Sequence, residues 1–217
     1  MSALVPMTGI VLSSQPIGEY DRRLVILTKE RGKIAVFARG VRRPTSCLLG
    51  ATRNFAFGTF LVYEGRTSYN LQSADIKNYF EDVFTDYDRT MYACYFAELA
   101  DYYGREGIGA KDDINLLYAV LSALTDERLD MRIIRSVYEI RLVSGAGECP
   151  PLEEIFSDPE GLPVGAIKAY NYALTAPMER VFKFTLSEET IPGLSQIGDR
   201  IIDHAVDKKL KTKEMLP

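Results

Sequence analysis

The sequence predicts an α+β protein: a small closed β-barrel over roughly the first eighty residues, then an all-helical remainder. Three observations carry this. Up to "IKNYF" the chain reads in short runs of Val, Ile, Phe and Tyr broken by Gly, Pro, Ser and Asn, the composition of strands and tight turns. From Phe84 onward apolar residues recur every three or four positions, the period of an amphipathic helix. The charge also changes sign there. Between Arg22 and Arg53 nine Lys and Arg stand against a single acid, Glu30, although the net charge of the chain is -4.

Five runs qualify as strands: "TGIVLSSQ", "RRLVILTKE", "KIAVFARG", "ATRNFAFGTFLVYEG" and "TSYNLQSADIKNYF". "KERGK" supplies a turn in which Gly32 can take a positive φ at little steric cost, and "EGRTS" supplies another. About five strands joined by tight hairpins predict a closed barrel, because closure removes exposed edges. The helical half opens with Phe84, Tyr87, Met91, Tyr95 and Leu99, a stripe that stops at Gly104. A second stripe follows "KDD", with Ile114, Leu117, Val120, Leu121 and Leu124. A third runs through Leu129, Ile133, Val137 and Ile140 to "SGAG". The Pro- and Gly-rich "ECPPLEEIFSDPEGLPVG" reads as a connector, "LPVGAIKAYNYALT" as a short helix, and Ser187 as the N-cap of the last helix. The domain boundary is expected near residue 82, giving a basic module over 1–82 and an acidic helical module over 83–217.

At 217 residues and 47% hydrophobic the chain is long enough for a sizeable core. No apolar run reaches the roughly 18 residues of a membrane span, and no basic residue precedes the apolar start as in a secretory signal. Three separated cysteines and one histidine are a poor disulfide framework and a poor zinc set, so a reducing cytoplasm is expected. His204 lies in "IIDHAVDKK", a helical stretch with no cysteine near it in sequence. The phosphate-loop, dinucleotide, zinc-protease and nucleophile-elbow motifs are all missing. Neither catalysis nor a cofactor is expected.

The basic cluster is the informative feature. Its local excess of about +8 leaves about -12 for the rest of the chain. A barrel with cations and interleaved rings suits single-stranded nucleic acid, with cations along the phosphates and rings stacked on bases. Arg22, Arg23, Lys33, Arg39, Arg42, Arg43 and Arg53 are the candidate phosphate contacts; Tyr20, Phe37, Phe55 and Phe57 are the candidate stackers. Against this, strand phenylalanines commonly fill a barrel. "RGVRRP" carries most weight, since Gly40 and Pro44 place its cations on a loop leaving a strand.

"GEYDRRLVILTKERGKIAVFARGVRRPTS" resembles the N-terminal signature of the RecO family of bacterial recombination mediators. The resemblance continues through "YEGRTSYNLQSADIKNYF", "YEIRLVSGAGECPPLEE" and the closing "DHAVDKKLKTKEML". It implies an N-terminal OB-fold and a C-terminal helical domain. It also implies binding of single- and double-stranded DNA, strand annealing, and two protein partners: RecR and the C-terminal tail of the single-stranded DNA-binding protein SSB. Many family members carry a four-cysteine zinc site in the connector. Here only Cys149 stands there, and no metal is expected.

One residue of the helical half stands out. On an ideal helix, at about 100° per residue, Leu129, Ile133, Ile134, Val137 and Ile140 share an arc. Arg141 falls inside it, while Arg132 and Arg135 fall outside. A cation on an apolar face must be paired. Its partner is either internal, such as a carboxylate or the carbonyls of a helix end, or a carboxylate from outside. The resemblance supplies the acidic SSB tail as such a guest, and Tyr87, Met91 and Tyr95 would wall the groove. The alternative to a DNA mediator is an RNA- or ribosome-binding OB module with a helical docking domain; a pure protein scaffold is a third reading.

Overall fold

The computed structural model describes residues 3–66 and 68–217. Met1, Ser2 and Thr67, the last of which opens the expected fifth strand, lie outside the described residues. The chain divides into two compact units. One takes the chain up to Glu81 together with Ala97–Ile114; the other takes Asp82–Phe96 with Asn115–Pro217.

The first unit is built on β1 (Leu4–Ile17), β2 (Asp21–Thr28), β3 (Gly32–Ala38), β4 (Phe57–Glu64) and β5 (Tyr69–Asn78). They close in the order β1-β2-β3-β5-β4, with β4 pairing back onto β1. All pairings are antiparallel except β3 with β5, where Val36 meets Tyr69. This is the five-stranded barrel of the OB type. Alternation drives it: along β3, Ile34, Val36 and Ala38 are buried while Lys33, Ala35 and Phe37 face outward. The inward set joins Met7, Leu24, Ile26, Phe60 and Val62 in one core. β1 serves two partners, β4 through Leu4–Ile10 and β2 through Gly9–Ile17. A register shift between Val11 and Ser13 lets the strand bend from one to the other.

Two expected strands have different limits. β1 begins at Leu4, not at Thr8. The run expected to be strand from Ala51 onward becomes one only at Phe57. Gly50–Thr52 form a 3-10 turn, and Phe55 has a φ of 68°. Its N–H donates to the Val11 carbonyl at 2.8 Å, and the Val11 N–H donates to the Ala56 carbonyl at 3.1 Å. Ala51, Thr52, Phe55 and Ala56 are all buried, a pattern of plugging rather than of alternation. The earlier part of the β3–β4 connection also reaches inward at two points. Val41, 1% exposed, joins the barrel core, and Leu48 packs against it.

The second unit contains the first part of α1 (Tyr87–Tyr103) and most of α2 (Lys111–Ala123). It also holds α3 (Met131–Gly145), α4 (Leu152–Ile155), α5 (Val164–Thr175) and α6 (Ile191–Ala205). α3 packs on α5 and α6, and α4 and α5 pack on α6. Asp130 caps α3 by accepting the Arg132 N–H at 2.8 Å. Ser187 is not the cap of α6. Its carbonyl accepts the Thr190 N–H at 2.8 Å in a turn, and the helix starts at Ile191 with a proline in its first turn, where a missing N–H costs nothing. Among the described residues no helix is long and apolar enough to cross a membrane.

α3 also departs from its ideal wheel. Glu139 is fully buried and accepts hydrogen bonds from the Tyr95 hydroxyl at 2.6 Å and from Arg135 Nε at 2.9 Å. Arg135, expected outside the apolar arc, bridges onward to Asp199 of α6, which Lys213 also approaches at 3.1 Å. Burial raises the Glu139 carboxyl above its ordinary value, while Arg135 and Tyr95 pull it back.

Candidate nucleic-acid interface

The basic loop is stitched to the turn that precedes β2. The Asp21 carboxylate accepts the Gly40 N–H at 2.7 Å, and the Tyr20 carbonyl accepts the Arg42 N–H at 2.8 Å. The Arg42 guanidinium reaches the Gly18 carbonyl at 3.3 Å. Gly40 has a φ of 63°, which lets the chain reverse here without a Cβ clash. Within the loop, Arg43 N–H bonds the Gly40 carbonyl and Ser46 N–H the Arg43 carbonyl. Buried Val41 holds the loop from beneath, with a contribution of about 1.5–3 kcal/mol for a side chain of its class. Arg39, Arg42 and Arg43 are thereby turned to solvent, and among the described residues none of them sits in an ion pair. Arg43 lies over the Tyr20 ring, 5.3 Å from its centroid, a cation–π contact that orients both groups.

A second row lies on the outer face of the barrel. Gln15 pairs with Arg23, Arg23 with Phe37, and Phe37 with Asn70. Directly opposed residues share a face of a sheet, so an amide, a cation, a ring and a second amide run across four strands. Arg23 is exposed and Phe37 half-buried, which leaves part of the ring open. Arg22 points the other way and is half-buried, with one guanidinium N–H on Ser14 Oγ at 2.9 Å.

The remaining candidates are buried or already engaged. Phe55 is 1% exposed and offers no face to a base. Phe57 is half-buried at the start of β4, between Ile10 and Asn78. Arg53 pairs with Glu81 at 3.5 Å. Lys33 is bound to Asp101, to its carboxylate at 3.3 Å and to its backbone carbonyl. Sequence reasoning passed over Val41 and Asp21, the two residues that shape the loop. The signal was a lone apolar side chain inside "RGVRR" and an acid at the head of a strand.

In the helical unit the expected tail groove does not assemble. Tyr95 is fully buried with its hydroxyl on Glu139, whereas Tyr87 is 69% exposed and Met91 half-buried. Arg141 has an internal partner, as one of its two expected outcomes allowed: it donates to the Ala176 carbonyl at the C-terminal end of α5. Burial lowers its pKa. Nor does the connector fit a zinc ion. Cys149 stands there as the sole thiol, 3.7 Å from the Tyr170 hydroxyl. Among the described residues no group of three or more His, Cys, Asp and Glu could hold a metal.

Comparison with known proteins matches two family models in chain order: "Recombination protein O N terminal" over residues 1–80 and "Recombination protein O C terminal" over residues 85–157. Similar proteins include the DNA repair protein RecO of Acetivibrio thermocellus, 27% identical over 93% of this chain and 91% of that one. That of Alkaliphilus metalliredigens is 28% identical over 94% and 95%. That of Desulforudis audaxviator is 33% identical over 66% and 57%.

Proposed function

The chain belongs to the recombination protein O family, whose role is in DNA repair and recombination, and from that premise we propose a non-enzymatic mediator that binds single- and double-stranded DNA and anneals complementary strands. With RecR it helps to load the recombinase. The observation that carries the reading is the clamped loop. Three solvent-facing arginines, Arg39, Arg42 and Arg43, have no acidic partner among the described residues, Arg43 lies over Tyr20, and Arg23 with Phe37 lies on the outer face. Cations tracking the backbone neutralise the mutual repulsion of two strands, and rings that stack on bases do so without regard to sequence. Annealing needs both properties. The functional division assigns DNA to the module before residue 82 and proteins to the rest.

RecR and the SSB tail are the proposed protein partners. Arg141 is engaged at Ala176, so the tail proposal moves to a groove lined by Leu129, Met178, Phe182 and Phe184, where Lys183 stands near Glu179 and Arg128 is paired with Asp126. Its apolar lining suits a peptide that ends in a hydrophobic residue, and Lys183 is the cation that would meet its terminal carboxylate.

The DNA reading is tested with Arg42→Glu combined with Arg43→Glu. Both side chains are exposed, so the melting temperature should hold while annealing of SSB-coated complementary oligonucleotides is lost. For the unmodified protein, four exposed arginines at about 0.7 per contact give a slope of log K against log salt of roughly -3 on single strands. Normal annealing by the double variant, or a slope near zero, would refute the loop as the grip.

A further inference from the structure

The outer face of the barrel ends at a wall made by the chain itself, which turns the carboxylates of Asp101 and Glu106 toward it. After α1, the segment around residues 104–109 runs beside the β2–β3 hairpin. The Lys33 N–H donates to the Arg105 carbonyl at 3.1 Å, the Gly107 N–H donates to the Arg31 carbonyl at 2.9 Å, and Gly32 bridges to Glu106. The approach is so close that a Cβ on Gly32 would lie 2.0 Å from the Arg105 oxygen. The wall is therefore part of the fold of this unit and not a loose strap. It meets the row described above in an open groove whose lining includes Gln15, Arg23, Lys33, Asp101 and Glu106.

Two cations and two carboxylates share this groove. We propose that Asp101 stands in for a DNA phosphate, holding Lys33 in reserve and, with Glu106, stopping a bound strand at this end of the face. The proposal rests on the DNA-binding reading. Its chemistry is that of acceptor exchange. A carboxylate and a phosphate offer an ammonium group the same kind of charged oxygen. The Lys33–Asp101 contact is 3.3 Å long, with the two side chains 29% and 44% exposed, the regime in which ion pairs are weak and screened. Arg23, in the same groove and without such a partner among the described residues, is the phosphate contact of this face, and Lys33 is not. A strand that crosses Arg23 and Phe37 meets like charge at Asp101 and Glu106 and so leaves along the Asn70 side.

The test is a titration of fluorescein-labelled oligothymidylate by anisotropy over a series of sodium chloride concentrations. Asp101→Asn keeps shape and backbone, and with them the Lys33 bond to the Asp101 carbonyl, while removing the carboxylate charge that neutralises Lys33. Its affinity is expected to rise by about two- to fivefold, and the salt slope should steepen by about 0.7, one further phosphate contact. In Asp101→Asn combined with Lys33→Ala both gains should vanish. Melting curves of each variant check the fold, with Asp101→Ala as the second replacement if the amide disturbs it. An unchanged slope in both Asp101 variants overturns the proposal. So does a gain that persists without Lys33, since it would then come from net charge alone. If the unmodified protein shows no salt-dependent binding, the DNA-binding reading fails first and this proposal with it.

Discussion

Replacing Arg135 with alanine isolates the buried charge of the helical unit. Glu139 has no exposed surface, and its cationic partner is Arg135, at 2.9 Å. Truncating Arg135 leaves a carboxylate in the core with the Tyr95 hydroxyl as its remaining hydrogen-bond donor. Breaking a buried pair in this way costs about 3–5 kcal/mol. At about 3 °C per kcal/mol for a chain of this size, the melting temperature should drop by roughly 12 °C. The deficit should also depend on pH. Burial raises the Glu139 carboxyl and Arg135 opposes that rise, so the variant raises it further. A raised carboxyl holds a proton in the folded state that the unfolded chain has already released. Stability is then fully present below the unfolded carboxyl value and is lost as pH climbs through the folded one. The variant should therefore lie closer to the parent at about pH 5 than at about pH 8. Circular-dichroism melts at the two pH values measure this, and adding Glu139→Gln should abolish the pH dependence. A deficit below about 1 kcal/mol, as for an exposed pair, or one equal at both pH values, would refute the reasoning.

Four further substitutions separate packing from binding. Gly198→Ala would put a Cβ 2.2 Å from Glu139 Oε2 and 3.3 Å from Ser136 Cα. The overpacking, about 1–3 kcal/mol, should outweigh the helix propensity gained, and a raised melting temperature would contradict the close approach. Val41→Ala removes about 1.6 kcal/mol of burial at about 0.8 per methylene. It should weaken single-strand binding although no charge changes; unchanged affinity would mean that Val41 does not hold the loop. Phe37→Ala should lower affinity by about 1–3 kcal/mol if a base stacks there and barely alter the melt. Phe55→Ala should instead cost stability, about 3–5 kcal/mol. The reverse pattern in melting and binding assays would exchange their roles.

The order of elements was legible because periodicity is a local property. Five apolar-rich runs and five helical stretches lie where the alternations and stripes place them. The misreadings share one cause, which is burial by tertiary contact. "ATRNFAF" has the apolar content of a strand, yet it turns through Gly50–Thr52 to fill the barrel. Arg135 falls outside the apolar arc of its helix, and only α1 and α6 reveal that it is enclosed with Glu139. At the interface the arginines of "RGVRR" could be read from type and loop position. The pairing of Lys33 with Asp101 spans 68 positions of chain, and no pattern within "KIAVFARG" points to it.

The loop from Arg39 to Ser46 has one residue, Val41, committed to the core between neighbours committed to solvent. This sets what an engineer may change. Exchanging side chains at 39, 42 or 43 leaves the anchor alone, so grip can be strengthened or weakened in single steps without touching the melt. Changing the length of the loop is another matter. One residue added between Gly40 and Val41 would break the match between the Gly40–Asp21 and Arg42–Tyr20 bonds and displace Val41 from the position it holds. The segment tolerates spelling changes and forbids insertions, so libraries meant to tune affinity should vary its residues and keep its count.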